Sequence, residues 1–413
     1  MINSHDLKGG AARAAYRLHR GLLDNGVESN ILVATKSSDD ANVIGPASKL
    51  AKLYEMLKIE IEPWALKNLR GGATRYFSPA WFRHTRLNKT LAITDPDIVH
   101  LHWPCASMLT VAQLSCISQP MVWTLHDMWP FTGGCHYSEG CDNYKVECGK
   151  CPQLNRNGNH DLSRSIWEKK STVYKDLDLR IVAPSQWMAS CARESSLLKG
   201  KNIEVIPNGI DLKVFKPVDQ RMAREILGLP KEKKLILFGA MNATSDSRKG
   251  YQFLLEGLQS MEGMVDVELV VFGASEPKTP PELNLPIRYV GQIYDEVSLA
   301  VLYSSVDVMV VPSTQDNLPN TVVEALACGT PCVGFRIGGL VDLIEHKKSG
   351  YLADSFDVFD LVEGIRWCIE QNDGSLSREA RLKAERDYDI NQTAMKYAAL
   401  YNKLRPVRSL ERT

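Results

Sequence analysis

Short apolar runs alternate with helical patterns along the first half of the chain. The runs lie in MIN at the start and then in SNILVA, DIVHLHW, MVWTLHD and RIVAPS. Short continuous apolar runs are typical of parallel strands covered on both faces. The stretch GGAARAAYRLHRGLLDNG has helical spacing of its apolar residues and stops at Gly26. The first half therefore predicts a succession of βα units.

The same pattern starts again after VIPNGIDLKVFKP. The runs KKLILFGA, VELVVFGA, IRYVG, VDVMVVPS and PCVGF each precede a helical stretch. Alternating strands and helices predict an α/β fold, and 413 residues exceed what one hydrophobic core usually serves. We expect two doubly wound, Rossmann-like domains. The expected bounds are 1–205 for the first domain, 206–217 for a linker, 218–385 for the second domain, and 386–413 for a helix crossing back to the first domain and a frayed tail.

Charge and composition narrow the possible partners. Acidic and basic residues balance at 49 each, whereas nucleic-acid binding usually needs a basic surplus, so we expect no nucleic acid partner. No apolar run approaches the ~20 residues that span a bilayer. His5, Asp6 and Lys8 follow Met1 too closely for a signal peptide. We therefore expect a cytoplasmic protein with reduced thiols or metal ligands rather than disulfides.

A polar loop and a short helix follow the strand VDVMVVP. Asp316 and Glu324 stand at the two ends of this segment, separated by NLPNTVV. Thr321 and Glu324 fit a capping box, which would explain the glutamate alone. It would not explain Asp316 or the short polar groups of the loop. Because open α/β sheets bind ligands at the carboxyl ends of their strands, the segment predicts a binding site.

Two further segments have the chemistry to bind phosphate. Gly9 and Gly10 precede a helix and let the backbone approach an anion at its N-terminus, although a tight turn with no ligand explains them equally well. Arg248 and Lys249 stand beside Gly250 after a polar loop. Two adjacent cations suit a diphosphate, whereas an isolated pair of this kind is more often solvated surface charge.

Four cysteines fall close together in a loop, here taken as residues 133–153. Their spacing is C-x5-C-x6-C-x2-C, in a stretch too rich in Gly, Asn and Asp to bury much apolar surface. Four thiolates in such a loop suit a tetrahedral structural zinc site. The alternatives are an iron–sulfur cluster, two disulfides or free thiols. The four candidate ligands are Cys135, Cys141, Cys148 and Cys151.

Residues 49–89 mix lysine and arginine with aromatic and aliphatic residues. A basic amphipathic stretch with aromatics can lie on an anionic membrane surface. An ordinary pair of helices packed on the first domain explains the pattern equally well.

Several motifs together resemble one enzyme family. They are GG at 9–10, LHD at 125–127, IPNGID at 206–211, RKG at 248–250, and Asp-x7-Glu ahead of ALACGTPCVG. In this order they resemble the retaining GT-B glycosyltransferases of family 4, over nearly the whole chain. The segment TLHDMWPFTGGCHYSEGC is similar to bacterial transferases of capsule, O-antigen or colanic-acid type assembly. The resemblance implies a GT-B fold, in which two Rossmann-like domains face each other across a cleft.

The resemblance also implies roles for individual residues. Arg248 and Lys249 would hold the donor diphosphate, Glu324 the nucleotide ribose, and Asp316 the sugar ring, where the family usually has glutamate. His126 would line the donor sugar. The family has Gly-Arg where this chain has Gly239-Ala240, so the arginine role passes to Arg248. The remaining donor-binding positions are Gly9, Gly10, Asn208, Asn317, Leu318, Asn320 and Thr321.

The implied activity is retaining transfer of a hexose without a catalytic metal. The donor would be a UDP- or GDP-linked sugar, and the acceptor a saccharide carried on polyprenyl diphosphate at the inner-membrane surface. Two alternatives stay open: a GT-B sugar-nucleotide epimerase that needs no acceptor, and a non-catalytic scaffold in an assembly complex. Asp316 and Ala240 depart from the family pattern, so the non-catalytic scaffold stays open as an alternative.

Overall fold

The computed structural model describes residues 1–67, 77–106, 108–154, 158–239, 244–261, 266–371 and 373–405. These residues form two compact units. The first comprises Met1–Ile206 and the chain from Asn391 onward, and the second comprises Pro207–Ile390. The segment expected as a linker, 206–217, thus falls at the end of one unit and the start of the other. Ala240, residues 68–76 of the basic-aromatic stretch and nearly all of the tail RPVRSLERT lie outside the described residues.

The described strands of the first unit form one parallel sheet. They are β1 (Ile2–His5), β2 (Ile31–Thr35), β3 (Val43–Ile44), β4 (Val99–Leu101), β5 (Met121–Thr124), β6 (Leu179–Ala183) and β7 (Ile203–Val205). Their order is β3-β2-β1-β4-β5-β6-β7, and every pairing is parallel. The order reverses between β1 and β4, which is where a doubly wound sheet opens its ligand crevice.

Helices of the first unit connect these strands. They are α1 (Gly10–Asp24), α2 (Lys49–Leu66), α3 (Leu87–Thr94), α4 (Leu162–Tyr174) and α5 (Gln186–Glu194), with 3-10 turns at Val111–Cys116, Trp129–Phe131 and Asn143–Lys145. Helix α1 begins after Gly9, whose φ of 98° lies in the left-handed region that favours glycine. The helix therefore starts immediately beyond the carboxyl end of β1, as the glycine pair predicts.

The second unit repeats this design with its own sheet. Its strands are β8 (Lys234–Gly239), β9 (Val267–Phe272), β10 (Ile287–Gly291), β11 (Val308–Val311), β12 (Cys332–Phe335) and β13 (Gly350–Ala353). They pair in parallel in the order β10-β9-β8-β11-β12-β13. Here the order reverses between β8 and β11, so the crevice of this unit is expected beyond those two strands.

Both faces of the second sheet are covered. Leu235 and Leu237 lie in one hydrophobic cluster, while Ile236 and Phe238 lie in another. This alternation explains the continuous apolar run in β8, since each face has its own core. The covering helices are α6 (Gln220–Ile226), α7 (Tyr251–Gln259), α8 (Glu296–Ser304), α9 (Asn320–Ala327), α10 (Leu340–Leu343), α11 (Val358–Glu370) and α12 (Ser375–Asp387).

The last helix, α13 (Ile390–Leu404), packs on the first unit. Its Tyr397 and Leu400 lie in a hydrophobic cluster with Leu18, Leu22 and residues of β5 and β6. The Tyr397 hydroxyl lies 2.8 Å from Thr124 Oγ1. Helix α13 is therefore the element by which the C-terminal part of the chain returns to the first unit.

Candidate active site

The RKG segment, residues 248–250, packs closely against the chain that follows β11. Gly250 has φ +72°, and a Cβ on it would lie 1.7 Å from the carbonyl oxygen of Pro312. Only glycine permits that approach. The Thr314 backbone N–H donates to the Arg248 carbonyl oxygen at 2.8 Å, which fixes the turn in register. Two segments more than 60 residues apart in the chain are thereby joined at the carboxyl ends of β8 and β11.

This junction brings three predicted residues into one ionic cluster. Lys249 Nζ donates to Asp316 Oδ2 at 2.6 Å, and Arg248 Nη1 lies 3.4 Å from the same oxygen. Arg248 also donates to the Gln315 carbonyl oxygen and pairs with Asp246 at 3.3 Å. Burial raises the pKa of Asp316, but the nearby Lys249 and Arg248 charges outweigh it and the pKa ends below its ordinary value. Asp316 is therefore ionised.

The backbone around Asp316 is held as firmly as its side chain. The Asn317 N–H donates to Asp316 Oδ1 at 3.1 Å, and the Gly339 N–H donates to the Asp316 carbonyl oxygen at 3.1 Å. A Cβ on Gly338 would lie 2.2 Å from that carbonyl oxygen, so the second contact also requires glycine. Asp316 is therefore held in a fixed position beyond the carboxyl end of β11.

The capping-box explanation of Glu324 is wrong. Helix α9 begins at Asn320 with Pro319 at the N-cap, where no side chain caps the first turn, and Thr321 lies inside the helix. Glu324 is 2% exposed, and its Oε2 accepts a hydrogen bond from the Tyr303 hydroxyl at 2.8 Å. Proline provides no N–H, and its fixed φ suits the chain just before a helix, so it replaces the expected threonine cap.

The remaining predicted residues of this loop have different surroundings. Asn208 Nδ2 donates to Asn320 Oδ1 at 3.2 Å, which joins the NGID segment to the start of α9. The Leu318 side chain lies in the hydrophobic core, so only its backbone is suited to contact a polar ligand. Thr321 is half-buried at the start of the helix.

A second group of polar side chains lies beyond β4 and β5 in the first unit. His126 is half-buried, and its Nε2 lies 3.0 Å from His102 Nδ1. The next residue, Asp127, is buried and accepts from the Trp103 indole at 2.7 Å and from the Trp129 N–H at 2.9 Å. His136 Nδ1 lies 2.6 Å from the same carboxylate. The LHD motif thus places His126 at the crevice. The next residue, Asp127, has a carboxylate that accepts hydrogen bonds from several neighbours.

His126 and His102 are neutral. Burial lowers the pKa of His126 to about 4, against the opposing effect of Asp127. Burial also lowers the pKa of His102 well below its ordinary value, as do the charges of His100 and His126. His102 Nε2 is buried and has no hydrogen-bond partner among the described residues. A neutral imidazole can both donate and accept, which suits recognition of sugar hydroxyls.

The glycine pair of the first unit has room around it. Gly9 is the N-cap residue of α1, and a Cβ on it would meet nothing within 4 Å. Gly10 is the first residue of the helix and is exposed. The phosphate role of both remains a prediction.

The four cysteines of the 133–153 loop line one small cavity. Its volume is about 20 Å³, and Cys135, Cys141, Cys148 and Cys151 all contribute to its wall. All four are free thiols. Burial raises the pKa of Cys148 to about 11 and that of Cys151 to about 12. Within the described part of the chain, no group of three or more His, Cys, Asp or Glu residues is arranged so that it could hold a metal ion.

Helix α2 buries charged side chains and exposes apolar ones, which is the reverse of an ordinary surface helix. Its buried face carries Glu55, Lys58 and Glu62, with Lys58 Nζ 2.6 Å from Glu55. Its exposed face carries large apolar side chains at helical spacing: Leu50, Leu53, Tyr54, Leu57, Ile61 and Trp64. No described helix combines the length and apolarity needed to cross a membrane.

Several residues of these sites are not identified by the sequence patterns. Tyr303 reaches Glu324 from another helix, and Asp246 reaches Arg248. The sequence does indicate His102, because the two histidines of HLHW are two residues apart in a strand and therefore lie on the same face. His136 lies in the quoted segment TLHDMWPFTGGCHYSEGC, but the sequence does not show that its side chain contacts Asp127.

The sequence matches two described glycosyltransferase families. Residues 8–214 match "Glycosyltransferase Family 4", and residues 232–371 match "Glycosyl transferases group 1". A full-length relative is WcaC of Escherichia coli (strain K12), provisionally assigned as a colanic acid biosynthesis glycosyl transferase. It is 25% identical, with 98% of this chain and 99% of the relative covered.

Solved structures share the fold. The sucrose-phosphate synthase of Thermosynechococcus elongatus superposes with a TM-score of 0.69 at 21% identity, covering 97% of this chain and 95% of the other. HepE of Anabaena, solved with UDP-glucose, superposes with a TM-score of 0.63 at 16% identity, covering 98% of each chain. The two-sheet architecture of this chain is therefore the GT-B fold.

Proposed function

The chain belongs to the family 4 glycosyltransferases, and on that premise we propose that it transfers a hexose, with retention, from a nucleotide diphosphate sugar to a saccharide acceptor. The observation that carries the proposal is the cluster of Lys249, Arg248 and Asp316 beyond β8 and β11. It combines two cations with one ionised carboxylate at the switch point of a doubly wound sheet. That is the charge pattern that a diphosphate joined to a sugar needs.

The second unit would bind the donor. The N-terminus of α7, directly after Gly250, adds partial positive charge to Lys249 and Arg248 for the diphosphate. Asp316 would contact the sugar and Glu324 the ribose. HepE was solved with UDP and with UDP-glucose, which supports a uridine diphosphate hexose here, with a guanosine diphosphate sugar as the other candidate.

The proposed chemistry depends on charge stabilisation rather than on a protein base. Asp316 is held ionised by Lys249, so it is a weak acceptor for a proton. The acceptor oxygen would form its bond to the anomeric carbon on the face from which the diphosphate departs. The carbon–phosphate oxygen bond breaks with its electron pair, and the acceptor proton passes to the leaving diphosphate. Lys249 and Arg248 stabilise the charge that develops there, without a catalytic metal.

The first unit would contribute recognition of neutral groups. His126 has a neutral imidazole beside the bonded Asp127, and it is proposed to hydrogen-bond the donor sugar. In addition, Gly9 and Gly10 stand at the N-terminus of α1, where we propose that an anionic part of a ligand binds; a Cβ on Gly9 would meet nothing within 4 Å. The full-length similarity to WcaC, which is assigned to colanic acid biosynthesis, supports a role in bacterial surface polysaccharide assembly.

We propose further that α2 rests on the cytoplasmic face of the membrane where a lipid-linked acceptor is found. Leu50 is 80% and Trp64 76% exposed, at the two ends of a continuous apolar stripe. Tryptophan favours the interface between lipid and water. The helix carries three lysines and three glutamates, so apolar burial rather than charge would supply most of the binding free energy.

Co-sedimentation with vesicles of mixed zwitterionic and anionic lipids tests the membrane contact. Leu57→Glu should abolish binding, and Ile93→Glu should leave it unchanged, because Ile93 is 70% exposed but lies on α3 away from the stripe. Equal binding by both variants would exclude α2 as the membrane contact.

Nucleotide release tests the transferase activity. Each candidate nucleotide sugar is incubated with the protein, with and without a lipid-linked saccharide, and free nucleotide diphosphate is measured. A transferase releases it only with acceptor, and product analysis by NMR should show the anomeric configuration of the donor. Release without acceptor, with an epimerised sugar, would support the epimerase instead. Donor binding without any turnover would support a scaffold.

A further inference from the structure

We propose that the loop 133–153 is a zinc-binding module in which Cys135, Cys141, Cys148 and Cys151 are the four ligands. This site is separate from the donor chemistry and does not depend on the proposed function. Its role would be to fold a loop that has little apolar surface of its own.

The first observation is that the four thiols share one cavity. They are separated by five, six and two residues along the loop, and all four line a space of about 20 Å³. A site needs roughly 10–15 Å³ to hold one water molecule, so this cavity suits a single small occupant. As the side chains stand, they are not spaced for coordination. Binding therefore requires the four thiols to move closer together around the ion.

The second observation is that the backbone supports one of the sulfurs. The Gly133 N–H donates to Cys148 Sγ at 3.1 Å. Hydrogen bonds from backbone N–H groups to sulfur are the supporting contacts that metal-bound thiolates need. A Cβ on Gly133 would lie 2.7 Å from the Cys148 Cβ, so the close approach requires glycine.

The third observation concerns the turn between the last two cysteines. Gly149 and Lys150, which separate Cys148 from Cys151, both have positive φ, 152° and 48°. Asn143 Nδ2 closes this turn by donating to the Gly149 carbonyl oxygen at 2.9 Å. A non-glycine residue in the left-handed region is uncommon. The strain at Lys150 is explained if the turn must direct two sulfurs into one cavity.

The fourth observation is a buried lysine beside the loop. Four thiolates around Zn²⁺ carry a net charge of −2, which a buried site must balance. Lys170 is fully buried and donates to the carbonyl oxygens of Trp129 and Thr132, next to Gly133. Its ammonium group also lies 3.5 Å from the centre of the Trp129 ring. Burial lowers the pKa of Lys170 to about 7, whereas neighbouring thiolates such as Cys148 raise it. A tetrathiolate centre would therefore favour the protonated lysine, which offsets part of its negative charge.

The loop is connected to the candidate active site by direct contacts. Residue Cys135 pairs with Phe77 in an antiparallel bridge, and the Ser78 N–H donates to the Gly134 carbonyl oxygen at 2.8 Å. The next residue of the loop, His136, lies between Ser78 Oγ and Asp127. A folded loop therefore holds Asp127 through His136, and loss of zinc should disturb the first unit only.

Elemental analysis of the full chain tests the site. Protein without a histidine tag, purified under reducing and chelator-free conditions, should contain about one zinc per chain. Cys148→Ser and Cys151→Ser should each lower the zinc content at least about tenfold, because a closed site tolerates few substitutions. The matched control is Cys116→Ser, since Cys116 is exposed and lies outside the loop; it should retain the metal.

Two measurements on the wild-type chain keep the test decisive if the variants fail to fold. Cobalt(II) should replace zinc and give the visible bands of a tetrahedral thiolate centre, and a chelator should make four further thiols reactive to alkylation. Absence of zinc together with absence of those bands would overturn the proposal. So would iron with sulfide and a broad visible absorption, two disulfides within the loop, or unchanged zinc content in Cys148→Ser.

Loss of zinc should affect the first unit and spare donor binding in the second, and this difference allows the zinc site to be tested separately from the proposed transferase activity. In Cys148→Ser the affinity for UDP should stay within about twofold, since the donor residues lie in the second unit, while acceptor-dependent turnover falls by an order of magnitude or more. Zinc content is measured without any substrate, so it stands or falls independently of the reaction.

Discussion

The two units place their polar residues at the same point of the same topology, yet the chemistry differs. In the second unit the groups at the switch point are charged, with Lys249 and Arg248 around an ionised Asp316. In the first unit they are neutral or fully bonded, with His102 and His126 uncharged beside an Asp127 that three neighbours contact. One fold therefore supports two opposite electrostatic environments, according to the residues that follow each strand.

The difference has a direct functional meaning. A diphosphate needs cations and helix N-termini, and it will bind where they are found. Sugar hydroxyls need groups that donate and accept without a net charge, which neutral imidazole provides. On this basis we propose that the second unit recognises the charged diphosphate and that the first recognises sugar hydroxyls. Four experiments would break or sharpen it.

The largest effect is expected from removing the lysine of the ionic cluster. Lys249→Ala should abolish transfer and weaken nucleotide diphosphate binding about ten- to hundredfold, because a hydrogen bond to a charged group is worth about 1.5–3 kcal/mol. Calorimetry with UDP gives the affinity, and circular dichroism checks folding. Glu324→Ala should likewise abolish transfer. The control is Lys231→Ala, which removes an exposed lysine paired with Glu225. Unchanged UDP affinity in Lys249→Ala would remove the diphosphate from this site.

The second effect separates the sugar from the nucleotide. Asp316→Asn should lower turnover about a hundredfold while UDP affinity stays equal or improves, since the substitution frees Lys249 and Arg248 from a carboxylate. Turnover and UDP binding are measured on the same preparation. Asp373→Asn, at an exposed aspartate before α12, is the control. Equal losses in turnover and binding would make Asp316 structural or part of the nucleotide site.

Sequence patterns predict the sheets better than the site. The long apolar runs of β8, β9 and β11 are correctly identified because strands buried on both faces need continuous apolar residues. Strand β3 escapes prediction because it has two residues, too few to form a pattern. Strand β13 begins at Gly350, a residue that usually ends elements rather than starting them.

The site residues are named by the sequence, but their partners are not. Lys249 and Asp316 each stand in a recognisable motif, whereas their ion pair depends on Gly250 packing against Pro312, a contact between distant segments. The capping-box prediction failed because it used local spacing only, and Glu324 bonds to Tyr303 of another helix. Tertiary contacts decide such cases, and short motifs do not contain them.

The third prediction concerns pH and the neutral histidines. His126 has a pKa lowered to about 4, so between pH 6.5 and 4 the unfolded chain binds a proton that the folded unit does not. Stability is therefore lost as pH falls through this window, by up to about 1.4 kcal/mol per pH unit for each such group. Asp316, with its pKa below the ordinary value, contributes nothing here. The first unit should therefore lose more stability at pH 5 than the second, whose one histidine, His346, also has a pKa lowered by burial.

Tryptophan fluorescence can follow the first unit separately, because every tryptophan except Trp367 precedes residue 207. Thermal unfolding at pH 7 and pH 5 should show a drop in midpoint that His102→Asn reduces. His160→Asn, at an exposed histidine, should leave the drop unchanged. An equal drop in all three proteins would place the pH dependence outside the histidine cluster of His100, His102 and His126.

The smallest expected effect is on UDP affinity, and it tests whether Glu324 hydrogen-bonds to the ribose. Tyr303→Phe removes the hydroxyl that donates to Glu324 at 2.8 Å while keeping the ring in the core. Loss of one neutral donor to a carboxylate should cost about 0.5–1.5 kcal/mol, which is roughly two- to tenfold in UDP affinity. Inorganic diphosphate, which has no ribose, should bind the variant and the wild type equally. Tyr289→Phe is the matched control, because it removes a hydroxyl contact with Tyr251 in the same unit. If UDP and inorganic diphosphate lose the same affinity in Tyr303→Phe, then Glu324 acts through the shape of the whole pocket and the ribose is bound elsewhere.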